Sequence, residues 1–172
     1  MNNFKVIIVE DVPLELKGTE GIIRNDIPEA EVIGTANNEA EYWRIIRDNQ
    51  PDLVLLDLGL GGSTTVGVEI CRHTKESYPA VKVLIFTGEI LNEKLWVDVL
   101  DAGADGIILK SGELLTRGDV RSVMEGKTMV FNEPILRRIV ERFKLSVNRE
   151  LTNQEALLDY EIDEYDERFL RH

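Results

Sequence analysis

The chain has 172 residues, 43% of them hydrophobic, with 32 acidic side chains against 20 basic ones and a net charge of −12. That length and apolar fraction suffice for one full core plus an appendage, and no run approaches the roughly 18 apolar residues that would span a bilayer. The acid excess argues against a nucleic-acid-binding surface, because phosphate contacts need a basic patch, and the single Cys71 excludes an internal disulfide.

Phe4-Lys-Val-Ile-Ile-Val9 reads as the first strand, entered with no leader, which with a lone cysteine fits a cytoplasmic location. It ends in Glu10-Asp11. Pro13 suits the first turn of a helix over 13–25, where its missing N–H costs nothing. A strand near 31–35 is followed by Asn37-Asn38, which can cap a helix over 38–49 ahead of Glu39 and Glu41. The strand near 52–56 carries four successive apolar residues, Leu53 to Leu56, as a strand buried on both faces requires, and stops at Asp57. A helix over 67–77, a strand over 82–86 stopping at Thr87, and a helix over 90–102 closed by Gly103 come next. The strand 106–109 stops at Lys110, and a helix over 112–126 completes the alternation. Five strands alternating with five helices predict an α/β fold, a flavodoxin-like (βα)5 three-layer sandwich of parallel order 2-1-3-4-5 with right-handed crossovers.

After Gly126 the character changes, so residues 1–126 form the first domain. Lys127-Thr-Met-Val-Phe131 is a short extended piece. Glu133-Pro134 opens a basic amphipathic helix with Ile135, Ile139 and Phe143 in one stripe, and 127–149 reads as a linker. Thr152 and Glu155 form a capping box that opens a second helix of this C-terminal extension, over 150–172, with Leu158, Ile162, Tyr165 and Phe169 at helical spacing. From Glu150 to Glu167 there are eight acidic residues and no basic one.

The expected strand order sets the ends of the first and third strands side by side at the topological switch point, where ligands of open α/β sheets bind. Glu10, Asp11 and Asp57 then share one cleft. Their repulsion calls for a cation, and an all-oxygen donor set suits Mg²⁺. Thr87 and Lys110 bring a hydroxyl and an ammonium to the same edge. The plainest alternative makes Asp57 a strand-end cap with Lys110 as its ion-pair partner. Cys71 reads as a small helix filler, and Trp43 and Trp96 as core or interface aromatics.

Glu10-Asp11, Asp57, Thr87 and Lys110, in this order on successive strand ends, resemble the receiver domain of two-component response regulators. The resemblance covers roughly residues 4–126. It implies that Asp57 is phosphorylated by a partner histidine kinase. It also implies that Mg²⁺ sits on Asp11, Asp57 and the backbone carbonyl of Gly59, with Glu10 holding a metal-bound water. Lys110 would neutralise a phosphoryl oxygen, and Thr87 would donate a hydrogen bond to the acyl phosphate. Such a phosphoprotein takes part in its own phosphotransfer and dephosphorylation but is not an enzyme in the ordinary sense. Gly59 and Glu89 occupy positions that tune water access to the phosphoryl group. Neither His73 nor His172 stands on the exposed helical bundle that a phosphodonor histidine needs.

The segment Gly126-Lys-Thr…Pro134…Arg137-Arg138 and the opening Leu151-Thr-Asn-Gln-Glu155 are similar to the NarL/FixJ-type regulators. That likeness implies a transcription regulator that dimerises on activation and reaches DNA through a helix-turn-helix output domain. Only 22 residues remain from Leu151, too few for that domain, and no basic recognition helix follows. The output domain is therefore expected to be missing, truncated, or replaced by an acidic helix. The alternative is a stand-alone receiver acting through protein contacts of its C-terminal helices, and the reading frame beyond His172 separates the two. A phosphatase of the haloacid dehalogenase type would want a second Asp two residues after the nucleophile, where Gly59 stands.

Three departures from the receiver pattern carry expectations. Asp57 is followed by Leu58-Gly-Leu-Gly-Gly-Ser-Thr-Thr-Val-Gly67 without proline, so the loop over 57–67 should be longer and more mobile. The aromatic residue that couples to Thr87 in the family switch is replaced by Ile107. Activation should then run through that loop and Thr87-Gly88-Glu89, with the helix 90–102 shifting as the loops close. Lys110 is followed by Ser111 rather than proline, as is common in the NarL/FixJ group.

Overall fold

The computed structural model describes residues 3–88, 93–110, 114–127, 130–131, Arg137 and Glu141. The chain divides into two compact units, Met1–Ile135 and Leu136–His172. Arg137 and Glu141 apart, the expected helices around 135–143 and from 150 onward lie outside the described residues, as do Glu89, Ser111 and the first turn expected at 90–92.

The first unit alternates strand and helix as β1 (Phe4–Val9), α1 (Pro13–Asp26), β2 (Ala30–Ala36), α2 (Glu39–Asp48), β3 (Leu53–Leu56), α3 (Thr64–Ser77), β4 (Lys82–Thr87), α4 (Glu93–Asp101), β5 (Gly106–Leu109), α5 (Arg117–Met124) and β6 (Val130–Phe131). Every strand pairs in parallel, in the order β2-β1-β3-β4-β5-β6. The five-strand order 2-1-3-4-5 is as expected. The short extended piece after Gly126 adds a sixth strand, with Gly106 opposite Val130 and Ile107 opposite Phe131.

Alternate strand residues feed two cores, one on each face of the sheet. Ile7, Val9, Val54, Leu56, Val83, Ile85, Ile107 and Leu109 pack with Tyr42 and Ile46 of α2, Ile70 and Cys71 of α3, and Val99 of α4. Val6, Ile8, Leu53, Leu55, Leu84, Phe86 and Ile108 pack with Ile23 of α1 and with Val120 and Val123 of α5. β1, β3, β4 and β5 are thus covered on both faces, which is why they read as near-continuous apolar runs. Cys71 lies fully buried beneath this cover, its thiol pushed up to about 12 by burial, which fits a filler rather than a nucleophile.

The helix termini follow local chemistry. Pro13 opens α1, and the Asn38 side chain accepts the Glu41 N–H to cap α2. Gly103 takes φ 85° just past α4. Two expected boundaries are corrected. α5 starts at Arg117 rather than near 112, because Thr116 and Asp119 form a reciprocal capping box that fixes the start there. α3 starts at Thr64 rather than 67, which shortens the loop after Asp57. A single 3₁₀ turn over Leu60–Gly62 fills that loop, with Gly61 and Gly62 at φ 61° and 75°.

Candidate functional site

β1 and β3 run side by side, with Val9 level with Leu56. Glu10-Asp11 and Asp57 are the residues that follow, so the register alone places three carboxylates at one edge of the sheet. Glu10 is 2% and Asp57 8% exposed. Carboxylate oxygens of Glu10, Asp11 and Asp57 all lie within 4.8 Å of one another.

The backbone meets part of this charge. Asp57 Oδ2 accepts the Gly59 N–H at 2.8 Å, and Asp11 Oδ2 accepts the Gly61 N–H at 2.7 Å. Glu10 Oε1 accepts the Val12 N–H at 3.0 Å. Gly61 reaches Asp11 because its positive φ turns the 3₁₀ segment back over the cleft. The Gly59 carbonyl accepts the Gly62 N–H at 3.3 Å, which leaves its second lone pair for another partner.

Lys110 follows β5, and its N–H donates to the Thr87 carbonyl at 2.8 Å. Its ammonium stands among the carboxylates, donating to Glu10 Oε2, to Asp57 Oδ1 at 3.3 Å and to Glu15 Oε2 at 2.6 Å. It also lies 5.5 Å from the centre of the Phe86 ring, in reach of a cation–π attraction. Burial holds the Glu10 carboxyl above its ordinary value, against the pull of the Lys110 ammonium and the Val12 N–H. Burial alone would depress Lys110, but its bonds to Glu10 and Glu15 and the Asp57 charge outweigh it, so its pKa is raised and the charge is secure at neutral pH.

Thr87 is fully buried at the end of β4. Ile85 pairs with Leu56, so continuing the register brings Asp57 level with Phe86, one residue short of Thr87. Ile107 is fully buried mid-strand in β5, packed in the core that faces α3 and α4. The structure therefore gathers Glu10, Asp11, Asp57, the Gly59 backbone and Lys110 at one cleft. It sets Thr87 at the adjacent strand end and Ile107 in the core beneath.

Two contributors escaped the sequence reading. Glu15 of α1 completes the shell around Lys110, and its signal was its position four residues past Asp11, on the turn that Pro13 opens. The sequence places Gly67 at the end of the loop, but it lies inside α3 against the Asp57–Leu58 backbone. A Cβ there would stand 2.7 Å from Leu58 Cα and 3.0 Å from the Asp57 carbonyl oxygen.

Residues 6–116 match the family model of the response regulator receiver domain. Residues 130–172 match a separate model, a family of unknown function. The chain is 31% identical over 130 residues to the DNA-binding transcriptional activator DevR/DosR of Mycobacterium tuberculosis, covering 74% of this chain and 58% of that one. It is 32% identical to the oxygen regulatory protein NreC of Staphylococcus epidermidis, over 73% of this chain and 57% of that one. It thus spans somewhat over half the length of these two relatives. A two-component response regulator of the LuxR family from Aurantimonas superposes with TM-score 0.71 at 27% identity, over 82% of this chain and 98% of that one. The isolated receiver domain of RcsB from Salmonella enterica superposes with TM-score 0.68 at 23% identity, over 79% of this chain and 98% of that one, a likeness of fold. The receiver match takes in most of the chain and every strand-end residue of the cleft, and the chain belongs to the response regulator receiver domain family of two-component systems, related to transcriptional regulators.

Proposed function

We propose that Asp57 is the phosphoacceptor of this receiver, taking its phosphoryl group from the phosphohistidine of a sensor kinase. The observation that carries the reading is the Lys110 ammonium held between Asp57 and Glu10 at the end of the sheet. A carboxylate oxygen of Asp57 attacks phosphorus, the P–N bond to the donor imidazole breaks, and the released nitrogen keeps the electron pair and takes up a proton. Lys110 supplies fixed positive charge to a phosphoryl oxygen as it arrives. Thr87 donates a hydrogen bond to the acyl phosphate.

The donor set fits a hard divalent cation, since carboxylates of Glu10, Asp11 and Asp57 converge and the Gly59 carbonyl keeps a free lone pair beside them. These groups would hold Mg²⁺, with Glu10 acting through a bound water. Bound there, the ion would neutralise phosphoryl oxygens. Asp57→Asn removes the nucleophile at nearly constant volume. Acetyl phosphate with Mg²⁺ should add one phosphoryl group to the parent chain and none to the variant, by intact mass. Equal labelling of both would refute the assignment.

The output has two readings. In the first, phosphorylation dimerises the receiver and controls transcription through a DNA-binding domain beyond this chain, in keeping with the relatives' names and with the RcsB dimers solved on DNA. In the second, a cytoplasmic receiver signals through protein contacts of its own C-terminal segment. The match of residues 130–172 to a family of its own favours the second, because that segment then recurs as a module rather than as the start of a helix-turn-helix.

A further inference from the structure

The Lys110 ammonium has three N–H donors, and all three point at carboxylates: Glu10, Asp57 and Glu15. An arriving phosphoryl oxygen needs one of those donors, so one carboxylate must yield. Glu10 has a side chain only 3% exposed and would be left as a buried carboxylate without its counter-ion, held by the Val12 N–H alone, a large cost. Asp57 carries the phosphoryl group itself. Glu15 differs on both counts. Its side chain is 48% exposed, so it can rehydrate cheaply on release. It also stands outside the three carboxylates that converge as a cation site.

We propose that Glu15 competes with the phosphoryl group for Lys110: it ties the ammonium to the first turn of α1 while Asp57 is unmodified, and its displacement couples acylation of Asp57 to α1. The proposal rests on the phosphoacceptor reading above and assigns that site a positioning residue. The tie is short, 2.6 Å, whereas the Lys110–Asp57 contact is long, 3.3 Å. The unmodified site therefore holds its cation partly turned toward α1.

The test is a beryllofluoride titration of the whole chain with Mg²⁺, followed by amide NMR, on the parent, Glu15→Gln and Glu20→Gln. Glu15→Gln keeps the size and removes the charge. Glu20 is also on α1 but pairs with Arg24, away from Lys110, and controls for the loss of one negative charge from the helix. Glu15→Gln should bind beryllofluoride about two- to fivefold tighter than the parent, the range a single part-exposed ion pair can supply. Glu20→Gln should match the parent. The amides of Leu14, Glu15 and Leu16 should shift on binding in the parent and shift less in Glu15→Gln. Equal affinities for the parent and Glu15→Gln, the same gain in Glu20→Gln, or unmoved α1 amides in the parent would each overturn the proposal. A parent chain that binds no beryllofluoride and takes no label on Asp57 would instead overturn the phosphoacceptor reading, and this proposal with it.

Discussion

At the scale of single residues, the site is a problem in charge. Glu10, Asp11 and Asp57 converge at one cleft with Glu15 at its side, and Lys110 is the cation that Glu10, Asp57 and Glu15 share. The amides of Val12, Gly59 and Gly61 relieve part of the repulsion, and a divalent cation would relieve more. Mg²⁺ bound to the native state alone raises apparent stability by mass action. Asp11→Ala should abolish the rise in melting temperature that Mg²⁺ gives the parent, read by calorimetry in the absence of phosphodonor. An undiminished rise would move the metal elsewhere. The cluster was legible because each member follows an apolar run, so sequence position alone fixed its place at a strand end. Glu15 was not legible in the same way. It reaches the cleft from a helix, and only the docking of α1 on the sheet decides where a helical side chain points.

Elements were legible where periodicity and turn chemistry agreed, and blurred where tertiary contact decided. The strands of the sheet are apolar on both faces because α2, α3 and α4 cover one side and α1 and α5 the other. The start of α5 escaped because the Thr116–Asp119 box uses Asp in place of the usual Glu or Gln. The pairing of β6 escaped because two residues carry no pattern. It is held by the ladder to β5, and the Trp96 and Phe131 rings stand 6.1 Å apart, edge to face. The loop after Asp57 is shorter than expected, because α3 begins at Thr64. Gly61 and Gly62 do supply turn conformations, but Gly67 works by absence of a side chain, letting α3 press against the Asp57–Leu58 backbone. Gly67→Ala should therefore cost about 1–3 kcal/mol in chemical denaturation, as overpacking does, and slow the labelling of Asp57. Gly67 lies ten residues past Asp57 in sequence but packs against the backbone of the acceptor itself, so the two effects should appear together. A Gly67→Ala protein as stable and as quickly labelled as the parent would return Gly67 to the role of a loop residue.

At the scale of the whole molecule, charge again separates the two ends of the sheet. At the edge opposite the cleft, Asp105 accepts the Val83 N–H and bonds to both Lys75 and Lys82, each at 2.9 Å. Burial alone would raise its pKa, but these three donors outweigh it and hold the carboxyl below its ordinary value. A depressed acid stabilises the fold above its ordinary value, and that contribution is lost as pH falls through the depressed one. Asp105→Asn should cost about 1–3 kcal/mol at neutral pH, and the gap to the parent should close below about pH 4 in urea titrations. A gap independent of pH would assign the loss to packing. Acidity also bears on output. The chain carries −12 overall, and eight acids with no base lie between Glu150 and Glu167. Phosphate contacts that drive DNA binding need the opposite sign, and base readout needs basic and amide side chains on a recognition helix, which the sequence after Leu151 does not supply. Phosphorylating Asp57 adds further negative charge, so activation cannot reverse the balance. These 172 residues, with or without beryllofluoride, should show no sequence-dependent retention of duplex DNA at about 0.15 M salt in a mobility-shift assay. Tight, sequence-dependent binding by this chain alone would defeat the reading in which residues 130–172 act through protein contacts, and would return the segment to transcriptional output by direct contact.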